Sequence, residues 1–154
     1  MSRFSIPVVV GVGLLVAVFV ALAMQGAPAA AQPQTIKPRF VLNLTSGLDD
    51  LHRTTMALEL ARHALDDGRE VLVFLNVKAP PIATLDGAKD AMPGMASPTE
   101  LLQKLIERGA MVHVCPMCMR AMKVEPEALL PGTVVTDREK LFSKLETGVT
   151  VFTY

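Results

Sequence analysis

The chain has 154 residues, 51% of them hydrophobic, and 15 Lys and Arg balance 15 Asp and Glu. Zero formal net charge and the lack of any basic stripe leave nucleic acid out as a partner. The only two cysteines, Cys115 and Cys118, enclose two residues; so small a loop removes little unfolded-state entropy, and the pair reads as chemistry rather than as a stabilising staple.

Arg3 precedes an almost unbroken apolar run from Ile6 to Met24, and small residues follow in Gly26-Ala-Pro-Ala-Ala-Ala-Gln32. That order describes residues 1–31 as a secretory signal peptide cleaved after Ala29 or Ala31. The alternative is an uncleaved N-terminal membrane anchor, since the run approaches the ~20 residues that span a bilayer. No cysteine follows the run, which excludes a lipid anchor on cysteine. The remaining chain is expected outside the cytoplasm, in the periplasm, or at the periplasmic face of the inner membrane if the anchor stays. Residues 32–38 form a polar, proline-containing linker, and 39–154 are one domain's worth of chain.

Phe40 to Leu44 reads as a buried strand, and Thr45 to Asp50 as a turn. Leu51, Thr55, Leu58, Ala61 and Leu65 then recur at helical spacing until Asp67-Gly68. Val71 to Leu75 is apolar throughout, as strands are when both faces of a sheet are covered. The connection from Lys78 to Ala96 is long and carries Pro80-Pro81, Asp86-Gly87 and Pro93-Gly94; it reads as a lid or binding loop, or as a plain disordered surface segment. Ser97-Pro-Thr-Glu100 is a capping box with proline at the first helical position, ahead of Leu101, Leu102, Leu105 and Ile106. Met111 to Val114 makes a third strand that runs into Cys115, and Pro116 opens a short helix. After Pro126 and the Pro131-Gly132 turn, Val134-Val135 is a brief strand. Thr136 to Glu139 reads as a second capping box, with a helix behind it that Gly148 stops, and Val149 to Phe152 as the last strand. Strands alternating with helices predict a three-layer α/β/α sandwich with a mostly parallel five-stranded sheet. No Gly-x-Gly-x-x-Gly or Walker loop occurs, so no nucleotide cofactor is expected.

In such a sheet ligands bind beyond the carboxyl ends of the strands. Cys115 lies there, at the N-cap of the helix begun by Pro116, where free N–H groups favour a thiolate. Cys118, three residues on, shares its helical face and is placed to close a disulfide with it or to receive sulfur from it. Thiolates with thioethers also suit Cu(I), and Met92, Met95, Met117 and Met119 are the methionines available, though methionine is equally a core filler. Zinc fits less well, because Cys115, Cys118 and His113 make at most three ligands and a structural site takes four. His113 reads as a hydrogen-bonded structural histidine.

From Phe40 to Tyr154 the chain resembles the DsrE/DsrF/TusD-like family of small α/β sulfur-relay proteins. The resemblance rests on Thr45-Ser46 with Asp49-Asp50, on Ala64-Leu-Asp-Asp-Gly68, on Glu70 to Leu75 and on Leu101 to Gly109. The Cys115 junction and Leu130-Pro-Gly-Thr-Val134 complete it. It implies a DsrE-like domain over 39–154, in which Cys115 carries a persulfide and passes sulfane sulfur on. Cys118 matches a position that is cysteine in some members, and Lys123 stands where members often have a glycine. Sulfur donor and acceptor proteins or small thiols are the implied partners, and a homo-oligomer, trimer or hexamer, the implied assembly. The expected function is therefore an exported, sulfurtransferase-like sulfur carrier with no cofactor. A Cu(I)-binding protein and a thiol–disulfide redox protein are the alternatives.

Overall fold

A computed structural model describes residues 37–146 and 148–154. The signal or anchor reading at 1–31 and most of the linker at 32–38 lie outside the described residues. Strands β1 (Arg39–Leu44), β2 (Val71–Leu75), β3 (Met111–Val114), β4 (Thr133–Val135) and β5 (Val149–Thr153) form one sheet in the order β4-β3-β2-β1-β5. Every pairing is parallel, so the mostly parallel sheet expected from the sequence is wholly so. Helices α1 (Leu51–Asp66), α2 (Pro98–Glu107) and α3 (Pro116–Ala121) lie in the first three crossovers, and α4 (Arg138–Phe142) in the return to β5.

Strand order explains the layering. The steps β1 to β2 to β3 to β4 all run one way, so right-handed crossovers put α1, α2 and α3 on one face. The return from β4 to β5 reverses direction and carries α4 to the other. There the segment after α4 is tied to the sheet by Arg39, whose Nη1 donates to the Lys144 carbonyl at 2.5 Å.

On the first face Phe40, Leu42 and Leu44 line up in register with Val71, Val73 and Leu75, and the last two with Val112 and Val114. Ala57, Leu58 and Ala61 of α1 and Leu101, Leu102 and Leu105 of α2 close over them. Each fully buried Leu or Val there contributes roughly 1.5–3 kcal/mol. The opposite layer is thin: Val41 and Leu72 are buried, while Val134, Val151 and Phe142 remain exposed.

The first part of the long connection after β2 packs into the fold. Pro80–Ala83 is a 3-10 turn, with Pro80, Ile82 and Ala83 buried. Thr84 bridges Leu129, and the Leu85 N–H donates to the Ala128 carbonyl at 2.8 Å. Two prolines with restricted φ and three apolar side chains thus make this stretch part of the core.

Both predicted caps are occupied, one of them by a different residue. Ser97 and Glu100 form the reciprocal capping box. At α4 the cap is Asp137, whose carboxylate accepts from the Lys140 N–H at 2.8 Å, and not Thr136 as the capping-box spacing predicts. The Thr136 hydroxyl is taken by the buried His113 ring instead. The helix behind that cap is also shorter than predicted and reaches its C-cap at Ser143.

α3 ends in a Schellman turn without glycine. The Val124 N–H donates to the Met119 carbonyl and the Lys123 N–H to the Arg120 carbonyl, which requires a left-handed Lys123, at φ 56°. A Cβ makes that conformation costly. Lys123→Gly is expected to raise stability by about 0.5–1 kcal/mol, read as a higher urea midpoint at unchanged m-value.

Candidate functional site

Cys115 leaves β3 still in the sheet's ladder, its N–H donating to the Leu75 carbonyl at 2.9 Å. One residue later the chain is helical. The Cys115 carbonyl accepts the first helical bond from Met119, and Pro116, with φ already set, starts α3. Cys115 is therefore the N-cap, as its place between strand and proline predicts. Both cysteines are free thiols and half-buried.

The two sulfurs are not equivalent. Burial pushes the Cys115 thiol up, but the Cys118 and Met117 amides, a hydrogen bond from the Cys118 side chain and the nearby Arg120 guanidinium outweigh it, and its pKa falls below 9.0. No first-turn N–H reaches full capping geometry on the Cys115 side chain, so this stabilisation is a sum of several weak contacts. For Cys118, burial and its role as donor to Cys115 raise the pKa, and the Val77 amide opposes them. Cys115 is thus the sulfur of the pair more disposed to ionise, and Cys118 the less.

The contact with Val77 lies outside what the sequence reading identified. Val77, directly after β2, donates its N–H to Cys118 Sγ at 3.1 Å and has φ 52°. Left-handed backbone is a genuine outlier for a β-branched residue and costs on the order of 1–3 kcal/mol. The segment is braced from the loop after β1. Gly47 packs against the Lys78 backbone, Asp49 accepts from Lys78 Nζ and from the Gly47 N–H at 2.9 Å each, and the Thr54 hydroxyl donates to the Gly47 carbonyl. The Lys78 ammonium and the Gly47 amide hold the Asp49 carboxyl below its usual range.

The methionines scatter. Met119 is 3% exposed and belongs to the hydrophobic core, whereas Met117 is 69% exposed on the outer side of α3. Met92 and Met95 are half-buried in a turn ahead of α2, with the Met95 N–H on the Met92 carbonyl. Among the described residues no three His, Cys, Asp or Glu side chains gather in a metal-holding group.

His113 is 4% exposed, and its Nδ1 lies 3.0 Å from Thr136 Oγ1, the hydrogen-bonded structural histidine read from the sequence. Burial, with Lys144 and Lys140 nearby, lowers its pKa below 6.5, against an opposing pull from Asp137. A depressed histidine pKa favours the neutral ring in the fold. Its contribution is complete above pH 6.5 and is lost as pH falls from there through the folded value. The lowered carboxylates Asp49, Asp66, Asp67 and Asp137 titrate below 3.8, outside that window. Urea midpoints measured from pH 7.5 downward are expected to drop on the acid side of 6.5 in the native chain and to stay flatter in His113→Asn.

A wholly parallel sheet with a cysteine pair at its carboxyl edge defines the class, a small α/β protein with two free thiols at a strand-to-helix junction. The sequence signature of the DsrE/DsrF-like family matches residues 39–154, and the chain belongs to that family, whose members suggest sulfur-relay-like function. The uncharacterized protein MJ0989 of Methanocaldococcus jannaschii is 28% identical over 116 residues, covering 75% of this chain and 99% of that one. The crystal structure of the ychN protein from E. coli superposes with a TM-score of 0.63 at 17% identity, over 76% of this chain and 99% of that one. MTH1491 from Methanobacterium thermoautotrophicum, a protein of unknown function, gives 0.58 at 13%, over 77% and 100%. These two structures share the fold.

Proposed function

We propose that this chain is an exported sulfur carrier in which Cys115 holds sulfane sulfur as a persulfide. The observation that carries the reading is the placement of the pair: Cys115 at the N-cap of the strand-to-helix junction and more disposed to ionise, with Cys118 three residues on and held by the Val77 amide. The thiolate is the attacking form. It attacks the outer sulfur of a donor R–S–SH; the S–S bond of the donor breaks, RS⁻ leaves, and Cys115–S–SH remains. An acceptor thiolate that attacks the outer sulfur regenerates the Cys115 thiolate. Alternatively, Cys118 thiolate attacks Cys115 Sγ, forms the Cys115–Cys118 disulfide and expels HS⁻. In that step the two cysteine sulfurs are oxidised and the sulfane sulfur is reduced.

Donor and acceptor are proteins or small thiols that reach the exposed edge of the sheet. Assembly as a homo-oligomer belongs to the same proposal, and the apolar side chains left open at Val134, Val151 and Phe142 support it. The test is intact-mass analysis of the protein purified from its own compartment and after incubation with a sulfane-sulfur donor under mild reduction. Gain of one sulfur atom is expected. Gain of copper would favour the Cu(I) reading, and loss of two hydrogens without sulfur the redox reading; an unchanged mass sinks all three.

A further inference from the structure

Three consecutive amides after β2 point in different ways. The Asn76 N–H donates to the Leu44 carbonyl and the Lys78 N–H to the Thr45 carbonyl, so both continue the ladder toward β1. The amide between them turns the other way, toward α3, and its acceptor is Cys118 Sγ at 3.1 Å. Amides of an extended strand face alternate sides, which points the Val77 N–H away from β1, and the left-handed φ of Val77 belongs to the tight turn that the Ala79 N–H closes on the Asn76 carbonyl at 2.9 Å. Val77's side chain is half exposed, so backbone hydrogen bonds and not core packing hold this residue in place.

We propose that the backbone N–H of Val77 is the positioning group for Cys118, holding that sulfur against Cys115 and favouring its thiolate form when it displaces hydrosulfide. The inference rests on the sulfur-carrier reading for the release step alone; the amide–sulfur contact is independent of it. A hydrogen bond to a charged sulfur is stronger than one to a neutral thiol, so the donor acts most when Cys118 becomes the nucleophile. A Cys118 sulfur that accepts this N–H is polarised into a better donor whenever it carries a proton. The step forms the Sγ–Sγ bond, breaks the persulfide bond and sends the electron pair out on HS⁻; the Cys118 proton passes to water.

The test replaces one backbone amide by an ester, with Val77 introduced as its α-hydroxy acid, in Cys115→Ala protein so that Cys118 is the sole thiol. Iodoacetamide alkylation is followed against pH. Loss of the donor is expected to move the profile to higher pH and to slow the reaction near neutrality roughly fivefold. The same substitution at Lys78 removes the neighbouring bond to Thr45 and loosens the same loop, yet keeps the Val77 donor. Its profile is expected to stay in place. An unmoved profile at Val77, or equal shifts from both esters, overturns the proposal.

In the two-cysteine protein loaded with sulfur, the Val77 ester is expected to slow hydrosulfide release by the same factor. Unchanged release beside a shifted profile overturns the part Val77 plays in that step. Failure of the native protein to take up sulfur at all sinks the carrier reading instead and leaves the alkylation result standing, so the two failures are told apart.

Discussion

Cys115→Ser is expected to abolish sulfur uptake, while Cys118→Ala still loads and then keeps its sulfur longer. The asymmetry of the site requires different outcomes from the two substitutions. Cys115 has the Met117 and Cys118 amides and Arg120 beside it, and all three stabilise its negative charge. A serine hydroxyl in that position stays protonated at any physiological pH and does not attack sulfur, so loading falls by at least about a hundredfold. Cys118 supplies a hydrogen bond to the Cys115 sulfur and the second thiol for release. Its removal blocks disulfide-forming release and takes a donor from the thiolate. The pH profile of loading therefore moves upward in Cys118→Ala, since the apparent titration belongs to the pair. Time-resolved intact mass after a pulse of donor reads both effects. Equal loss of loading in the two variants, or loading that survives in Cys115→Ser, contradicts the assigned roles.

Gly47→Ala is expected to be the most damaging small substitution at the carboxyl edge. A Cβ at residue 47 falls far inside contact distance of the Lys78 carbonyl oxygen, 2.9 Å from its carbon and 3.3 Å from Ala79 Cα. All three are backbone atoms, so no side-chain rotation relieves the clash. Either the turn after β1 or the segment after β2 must move, at a cost of about 3 kcal/mol. Val77 precedes the displaced carbonyl by one residue, so its N–H loses its line to Cys118. The urea midpoint is expected to fall, with Cys118 alkylation altered and the helical signal of the folded state retained. A stability within about 0.5 kcal/mol of the native chain rejects the close approach as a constraint.

Much of the fold is legible in the sequence because its signals are local. Apolar runs of strand length, helical spacing from Leu51 to Leu65, the Ser97–Glu100 box and Pro116 each act within a few residues. Cys115 belongs to the same class: the end of β3 and the proline at the first helical position place it at the N-cap. Thr136 shows where local reading fails. Its spacing to Glu139 favours a cap, but His113, 23 residues away, takes the hydroxyl, and Asp137 next in the chain caps instead. The connection after β2 is similar, since Thr84 and Leu85 are held by Leu129 and Ala128 on a distant turn.

By itself the sequence determined the alternation of strands and helices, the parallel α/β class and the cysteine pair at a strand-to-helix junction. These follow from residue periodicity, proline's fixed φ and the reach of one helical turn. Only the tertiary structure decided the order β4-β3-β2-β1-β5, the thin layer over the second face and the Val77 amide that reaches Cys118. The physical reason is distance along the chain. The amide that bonds Cys118 comes from 41 residues upstream, at a turn after β2 where the fold holds a valine in a left-handed backbone conformation.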